Sequence, residues 1–298
     1  MAQKKGALLR LVVSMTLFGT IGVFVSYIPL DSSLVALARA GGGFCFLLAV
    51  MLLSGKKLSV SAIGNNLLWL CLSGAFLGFN WILLFESYRY TSVAVSTLCY
   101  YMAPILVVCA SPLILKERLT ANKLIAVIVA LLGMVFISGV LPAGISDGKD
   151  MRGILLGLSA AVLYASIMLM NKQLHHISAY DRTVFQLGFS AIILIPYCLM
   201  TCDLSSIQMN GTQWLLLAVV AVVHTGFTYY WYFGSMAYLP GQTIAMISYI
   251  DPVIAVLCSV FLLNQPLKPL DIPGAVLILG AAVFSELPRK EAAKQQKM

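Results

Sequence analysis

The sequence predicts an all-α integral membrane protein, ten transmembrane helices arranged as two inverted five-helix repeats. Three observations predict it: the composition, the division of the chain into apolar stretches of membrane length, and an internal duplication at a nearly fixed offset. Of the 298 residues, 60% are hydrophobic and only 10% are charged, against about 25% charged in soluble domains. A helix needs roughly 20 apolar residues to cross a bilayer. Stretches of about that length, joined by short connections, leave no room for a soluble domain.

In chain order the predicted spans are Ala7–Pro29, Ser33–Ser54, Asn66–Tyr88, Thr91–Leu115 and Lys123–Leu141, then Gly153–Asn171, Arg182–Thr201, Gln213–Tyr232, Gly241–Leu263 and Asp271–Leu287. The basic start and apolar core of the first span resemble a secretory signal. The run is long, however, lacks a small-x-small cleavage site and has a counterpart later in the chain, so it is read as a membrane helix. The net charge of +8 follows the preference of Lys and Arg for cytoplasmic loops. An N-terminus inside leaves only Arg89, Lys149, Arg152 and Lys268 outside, with Arg39 in the membrane. Both termini are then cytoplasmic, the localisation is the cell membrane, and the basic tail from Pro288 is a solvated end. Nucleic acid is not needed to explain the charge.

The duplication is legible without gaps over three helices. An offset of 148 residues aligns Gly78 with Gly226, Phe85 with Phe233, Tyr101 with Tyr249, Pro104 with Pro252, Ser111 with Ser259 and Leu115 with Leu263. The chain divides into residues 1–147 and 148–298. Five helices per copy is odd, so the second copy enters the membrane from the opposite side. Inverted repeats of this kind let a site at their interface open to one side and then the other, the architecture of many secondary transporters.

The duplication makes one residue conspicuous. Asp251 and Pro252 interrupt the ninth span, and an ionisable group at that depth normally faces protein or a water-filled cavity. A cation or proton site is expected there, the bland alternative being a structural hydrogen bond; Ser248 lies one turn earlier and can share a ligand. Arg39, in the second span, is expected either to meet a carboxylate, to reach the outer interface, or to hold a carbonyl or Glu86. Glu86 and Arg89, three apart near the outer mouth, suit an ion pair or gate. Trp81, Tyr101 and Tyr249 at mid-depth can wall a cavity and attract an amine by cation–π contact, with Asn80 facing the same space. His224 is either a proton relay or a packed neutral histidine. The glycines Gly41 to Gly43, Gly74 with Gly78, and Gly153 with Gly157 permit close helix approach.

Enzyme chemistry is not expected. No nucleophile–base pair, phosphate-cradling glycine loop or metal-ligand cluster occurs, so catalytic residues, metals and cofactors are expected to be none. Six of the seven cysteines fall inside predicted spans, Cys202 follows the seventh span directly, and their number is odd, which speaks against a disulfide framework.

The stretch from Arg39 to Gly43, and the fourth span ending Ala-Pro-Ile-Leu followed by Leu-Lys-Glu-Arg-Leu-Thr up to Thr120, resemble the EamA branch of the drug/metabolite transporter superfamily. The resemblance implies a cytoplasmic-membrane carrier, commonly an exporter of amino acids or related metabolites, with its cavity between the halves. Two departures stand out: Asn264-Gln265 where the family repeats the acidic residue of Glu117, and Asp251 in one half only. The expected partners are a small-molecule metabolite, protons and the lipid bilayer. The state is monomer or homodimer, since one chain holds both repeats. The alternative class is a lipid or amphiphile flippase or a non-transporting interaction subunit, which a lateral apolar opening would favour.

Overall fold

The computed structural model describes residues 2–55, 57–91, 93–138, 148–174, 176–264 and 269–286. A chain buried in lipid must satisfy its backbone polar groups within itself, and among the described residues it does so with helices alone. They are α1 (Ala2–Val25), α2 (Ser32–Leu53), α3 (Val60–Tyr90), α4 (Val93–Ile114), α5 (Ala121–Ser138), α6 (Gly148–Gln173), α7 (Ala179–Thr201), α8 (Gly211–Met236), α9 (Gly241–Phe261) and α10 (Asp271–Glu286). Eight are long and apolar enough to span a bilayer, and the apolar parts of α5 and α10 are shorter. The predicted ends at Leu141 and Leu287, the basic tail, Gln265 and Lys268 lie outside the described residues.

Polar residues at the mouths start and stop these helices. Ser59 accepts from the Ala62 N–H, so α3 begins at Val60, a turn and a half before the predicted Asn66, because the cap rather than hydropathy sets the start. Ser178 caps α7 through the Asp181 N–H at 3.0 Å. Asn210 and Gln213 form a reciprocal capping box on α8, both bonds 2.9 Å. Lys116 and Asn264 follow the ends of α4 and α9 with φ of 56° and 52°. Their positions differ by the repeat offset of 148, so the duplication extends to an unusual backbone geometry.

The interruptions expected at the prolines are real. α4 is built of Val93–Tyr100 and Ala103–Ile114, and α9 of Gly241–Ser248 and Ile250–Phe261. Pro104 and Pro252 stand in the first turns of their second segments, where the missing N–H costs least. α8 carries a feature not read from sequence, a π-helical turn over Val222–Phe227. Its register shows in Thr225 and Thr228, whose hydroxyls donate to carbonyls five residues back, Val220 and Val223.

Packing repeats the same symmetry. α3 lies on α6 as α8 lies on α1; α3 lies on α7 as α2 lies on α8; α4 packs on α6 as the second segment of α9 packs on α1. Equivalent helices meet in the pairs α2 with α7 and α5 with α10. Tyr249 donates its hydroxyl to the carbonyl of its own counterpart, Tyr101, at 3.2 Å, which puts the two helix breaks side by side at the repeat interface.

Candidate functional site

The breaks position the site. Asp251 occupies the first turn of the half-helix Ile250–Phe261, where the positive end of the helix favours a carboxylate. Its side chain is half-buried. The Tyr101 hydroxyl is its hydrogen-bond partner. Across the repeat interface Arg39 turns inward from α2, with Nε donating to Thr225 Oγ1 at 3.1 Å and the guanidinium carbon 4.8 Å from the centre of the Trp81 ring. The pairing of Arg39 with Glu86 is therefore not made. The π turn presents Thr225 to Arg39, and Glu86 is engaged elsewhere.

Arg39 and Asp251 sense one another's charge but do not pair: among the described residues the one ion pair within 4 Å is Glu86 with Arg89. Two opposite charges thus stand on the two repeats without neutralising each other by contact. An aromatic wall surrounds them. Trp81 and Tyr229 stand edge to face at 6.3 Å, and Phe18 lies 5.0 Å from Tyr229 and 5.9 Å from Tyr232.

Three residues expected at the site are buried and engaged elsewhere. Asn80 is fully buried, its amide donating to the Ala160 carbonyl at 2.6 Å and its oxygen accepting from Tyr100 at 3.3 Å. A buried amide must satisfy its polar atoms, so Asn80 pins α3 to α6. Tyr249 is fully buried in its bond to Tyr101. Ser248 is also buried and donates to the Ile244 carbonyl at 2.8 Å. His224 stands one layer behind Arg39, with Nε2 3.0 Å from Thr20 Oγ1, Nδ1 3.5 Å from the Val219 carbonyl, and its ring 4.7 Å from Phe24. This is a packed histidine beside the site.

At the mouth where α3 and α7 end, Arg89 meets Glu86 at 2.9 Å and the Tyr197 hydroxyl donates to the same carboxylate oxygen. These groups border a recess of about 310 Å³ that also includes Asp31, Ser33 and Thr201. At the opposite end a larger cavity of about 790 Å³ opens between α1, α6, α7 and α8. Tyr230 and Trp231 line that cavity. Neither Asp251 nor Arg39 belongs to the wall of either opening.

Sequence reasoning missed the residues that hold this frame. Glu117 accepts from the N–H groups of Gly241 at 2.6 Å and Gln242 at 3.1 Å, so a carboxylate of the first repeat caps a helix of the second. Arg182 is buried and donates to the carbonyls of Asn171 and Phe233, both at 2.7 Å. Gly19 lets α1 approach the ninth helix: a Cβ there would stand 2.6 Å from the Asp251 carbonyl oxygen. The only sequence signal for Gly19 was a glycine amid an apolar run. Among the described residues no group of three or more His, Cys, Asp or Glu could hold a metal ion.

Known proteins agree with the architecture. The profile described as the EamA-like transporter family matches twice, at residues 5–139 and 151–286. The uncharacterized transporter YxxF of Bacillus subtilis is 31% identical over 85% of this chain and 81% of its own. An uncharacterized transporter of Archaeoglobus fulgidus is 26% identical over 92% of this chain and 94% of its own. A crystal structure with 19% identity superposes with a TM-score of 0.83, covering 94% of this chain and 97% of that one, which is a likeness of fold.

Proposed function

The chain belongs to the EamA-like transporter family, a family of multi-pass membrane proteins, and on that premise we propose that it is a secondary carrier exporting a small amino-acid-like or amine metabolite. Passage is by alternating access through the space between the repeats. The observation that carries this reading is the pair of opposite charges, Arg39 and Asp251, that sense one another across the repeat interface without an ion pair. Such an arrangement suits a solute with a charge at each end: a carboxylate bonds well to a guanidinium, and an ammonium is drawn to Asp251. A plain anion would leave Asp251 repelling it.

Asp251 is also the group that would couple transport to protons, with Tyr101 as its hydrogen-bond partner in the unloaded state. No nucleotide-binding motif supplies another energy source within the chain. The reading places both termini in the cytoplasm and the protein in the cytoplasmic membrane, with residues 1–147 and 148–298 as the two moving halves and the monomer as a sufficient unit.

The test is flux into and out of liposomes holding the purified protein, for labelled amino acids, their decarboxylated amines and their deaminated acids. Amino acids and amines are expected to move and the acids to lag. Transport of the acids alone, or of no solute by folded protein, would overturn the proposal.

A further inference from the structure

The cavity at the end of the molecule where α1 begins has a composition that central transport does not explain. Arg10, Lys172 and Arg182 all line it, and among the described residues no carboxylate lies within 4 Å of any of them. The carboxylate whose charge reaches Lys172 is Glu117, already engaged with the backbone at the start of α9. Asp181, next to Arg182 in sequence, borders a neighbouring recess with Lys57.

Two residues of the cavity wall hold unpaired polar atoms. Asn171 and Arg182 are only 2% and 3% exposed, yet Asn171 Nδ2 and Arg182 Nε have no hydrogen-bond partner. Both are donors. The Asn171 oxygen is satisfied by Gln186 at 3.0 Å, and the two terminal nitrogens of Arg182 by carbonyls. Gln186 Oε1 beside Asn171 is unpaired as well, and none of these atoms has surface open to the cavity, so the positive charge of Arg10, Lys172 and Arg182 is the feature that a ligand answers. An anion with several oxygens suits that charge, and the N-terminal end of α7 adds its own positive potential. The rim is apolar: Leu9 and Tyr238 are 65% and 49% exposed, which suits a ligand with a charged head and a greasy remainder.

We propose that this cavity is a phosphate-binding site, filled by the headgroup of an anionic phospholipid or by a soluble phosphate compound. It lies apart from Arg39 and Asp251, at the opening that the transport reading takes as one end of the path, and its chemistry stands whether or not that reading does.

Binding is measured on the purified full-length protein in detergent, by native mass spectrometry with phosphatidylglycerol against phosphatidylcholine, and by thermal shift with inorganic phosphate. Arg10→Gln is the informative variant because Arg10 is exposed and its loss leaves the interior bonds of Arg182 in place. Lys57→Gln removes the same charge outside the cavity. The expected result is selective retention of phosphatidylglycerol, a rise in melting temperature with phosphate, or both. In Arg10→Gln the affinity falls about tenfold, and in Lys57→Gln by less than about twofold, as loss of one charge-assisted contact implies. Phosphatidylglycerol retention without a phosphate response assigns the lipid as source, and a phosphate response alone assigns the soluble compound. Equal retention of both lipids with no phosphate response overturns the site, and so does an equal loss in the two variants.

Discussion

At the scale of single residues, Arg39 carries the prediction that separates solute recognition from structure. Its guanidinium bonds Thr225 and covers Trp81, and the remaining donors are available to a carboxylate. Arg39→Gln is expected to raise KM for an amino acid by about tenfold or more, the scale of one charge-assisted bond, while the matching amine changes far less. Competition flux in liposomes checks it, and an equal loss for both solutes would make Arg39 a structural residue. Asp251 was legible in the sequence because a carboxylate in an apolar run is rare and costly. Asn80, Ser248 and Tyr249 were misread as lining for a physical reason. Hydropathy gives depth, whereas the direction of a polar side chain depends on which neighbour satisfies it, and those neighbours come from α6 and the opposite repeat or, for Ser248, from a carbonyl in its own helix.

Helices and their junctions are held by small details of fit. A Cβ at Gly19 would stand 2.6 Å from both the Asp251 carbonyl oxygen and Ile254 Cβ, so Gly19→Val must push α1 off the half-helix that carries Asp251. Overpacking of this kind costs about 1–3 kcal/mol. The expected outcome is a lower melting temperature in detergent together with reduced flux, and an unchanged melting temperature would contradict the packing. Glu117→Ala removes a helix cap contributed across the repeats, and thermal unfolding is expected to show a loss of about 1 kcal/mol. The breaks in α4 and α9 could be read from Pro104 and Pro252. The π turn in α8 could not: it inserts a residue into the ladder without a proline or a polar run, and Gly42 and Gly43, where a Cβ would meet Ala221 Cβ at 2.6 Å and Gly226 N at 3.1 Å, mark only the close approach beside it.

The molecule as a whole is two copies of one five-helix design, and that much was open to sequence reading because the 148-residue offset survives in the residues that shape the backbone. Cross-repeat bonds were hidden, since alignment of the halves says which residues correspond and not which ones touch. Alternating access requires the opening between α3 and α7 and the cavity between α1, α6, α7 and α8 to respond in opposite senses to a transported solute. In a background with the seven cysteines replaced, Phe85→Cys and Gly234→Cys report on the two ends. Saturating solute is expected to raise thiol labelling at one and lower it at the other, and parallel changes at both would argue for a channel. The central claim is that Asp251 couples solute movement to protons at the repeat interface. Its most direct measurement is solute flux in liposomes with and without a pH gradient, for the parent protein and Asp251→Asn. The account predicts gradient-stimulated flux in the parent and exchange that ignores the gradient in the variant; equal stimulation of both would contradict it.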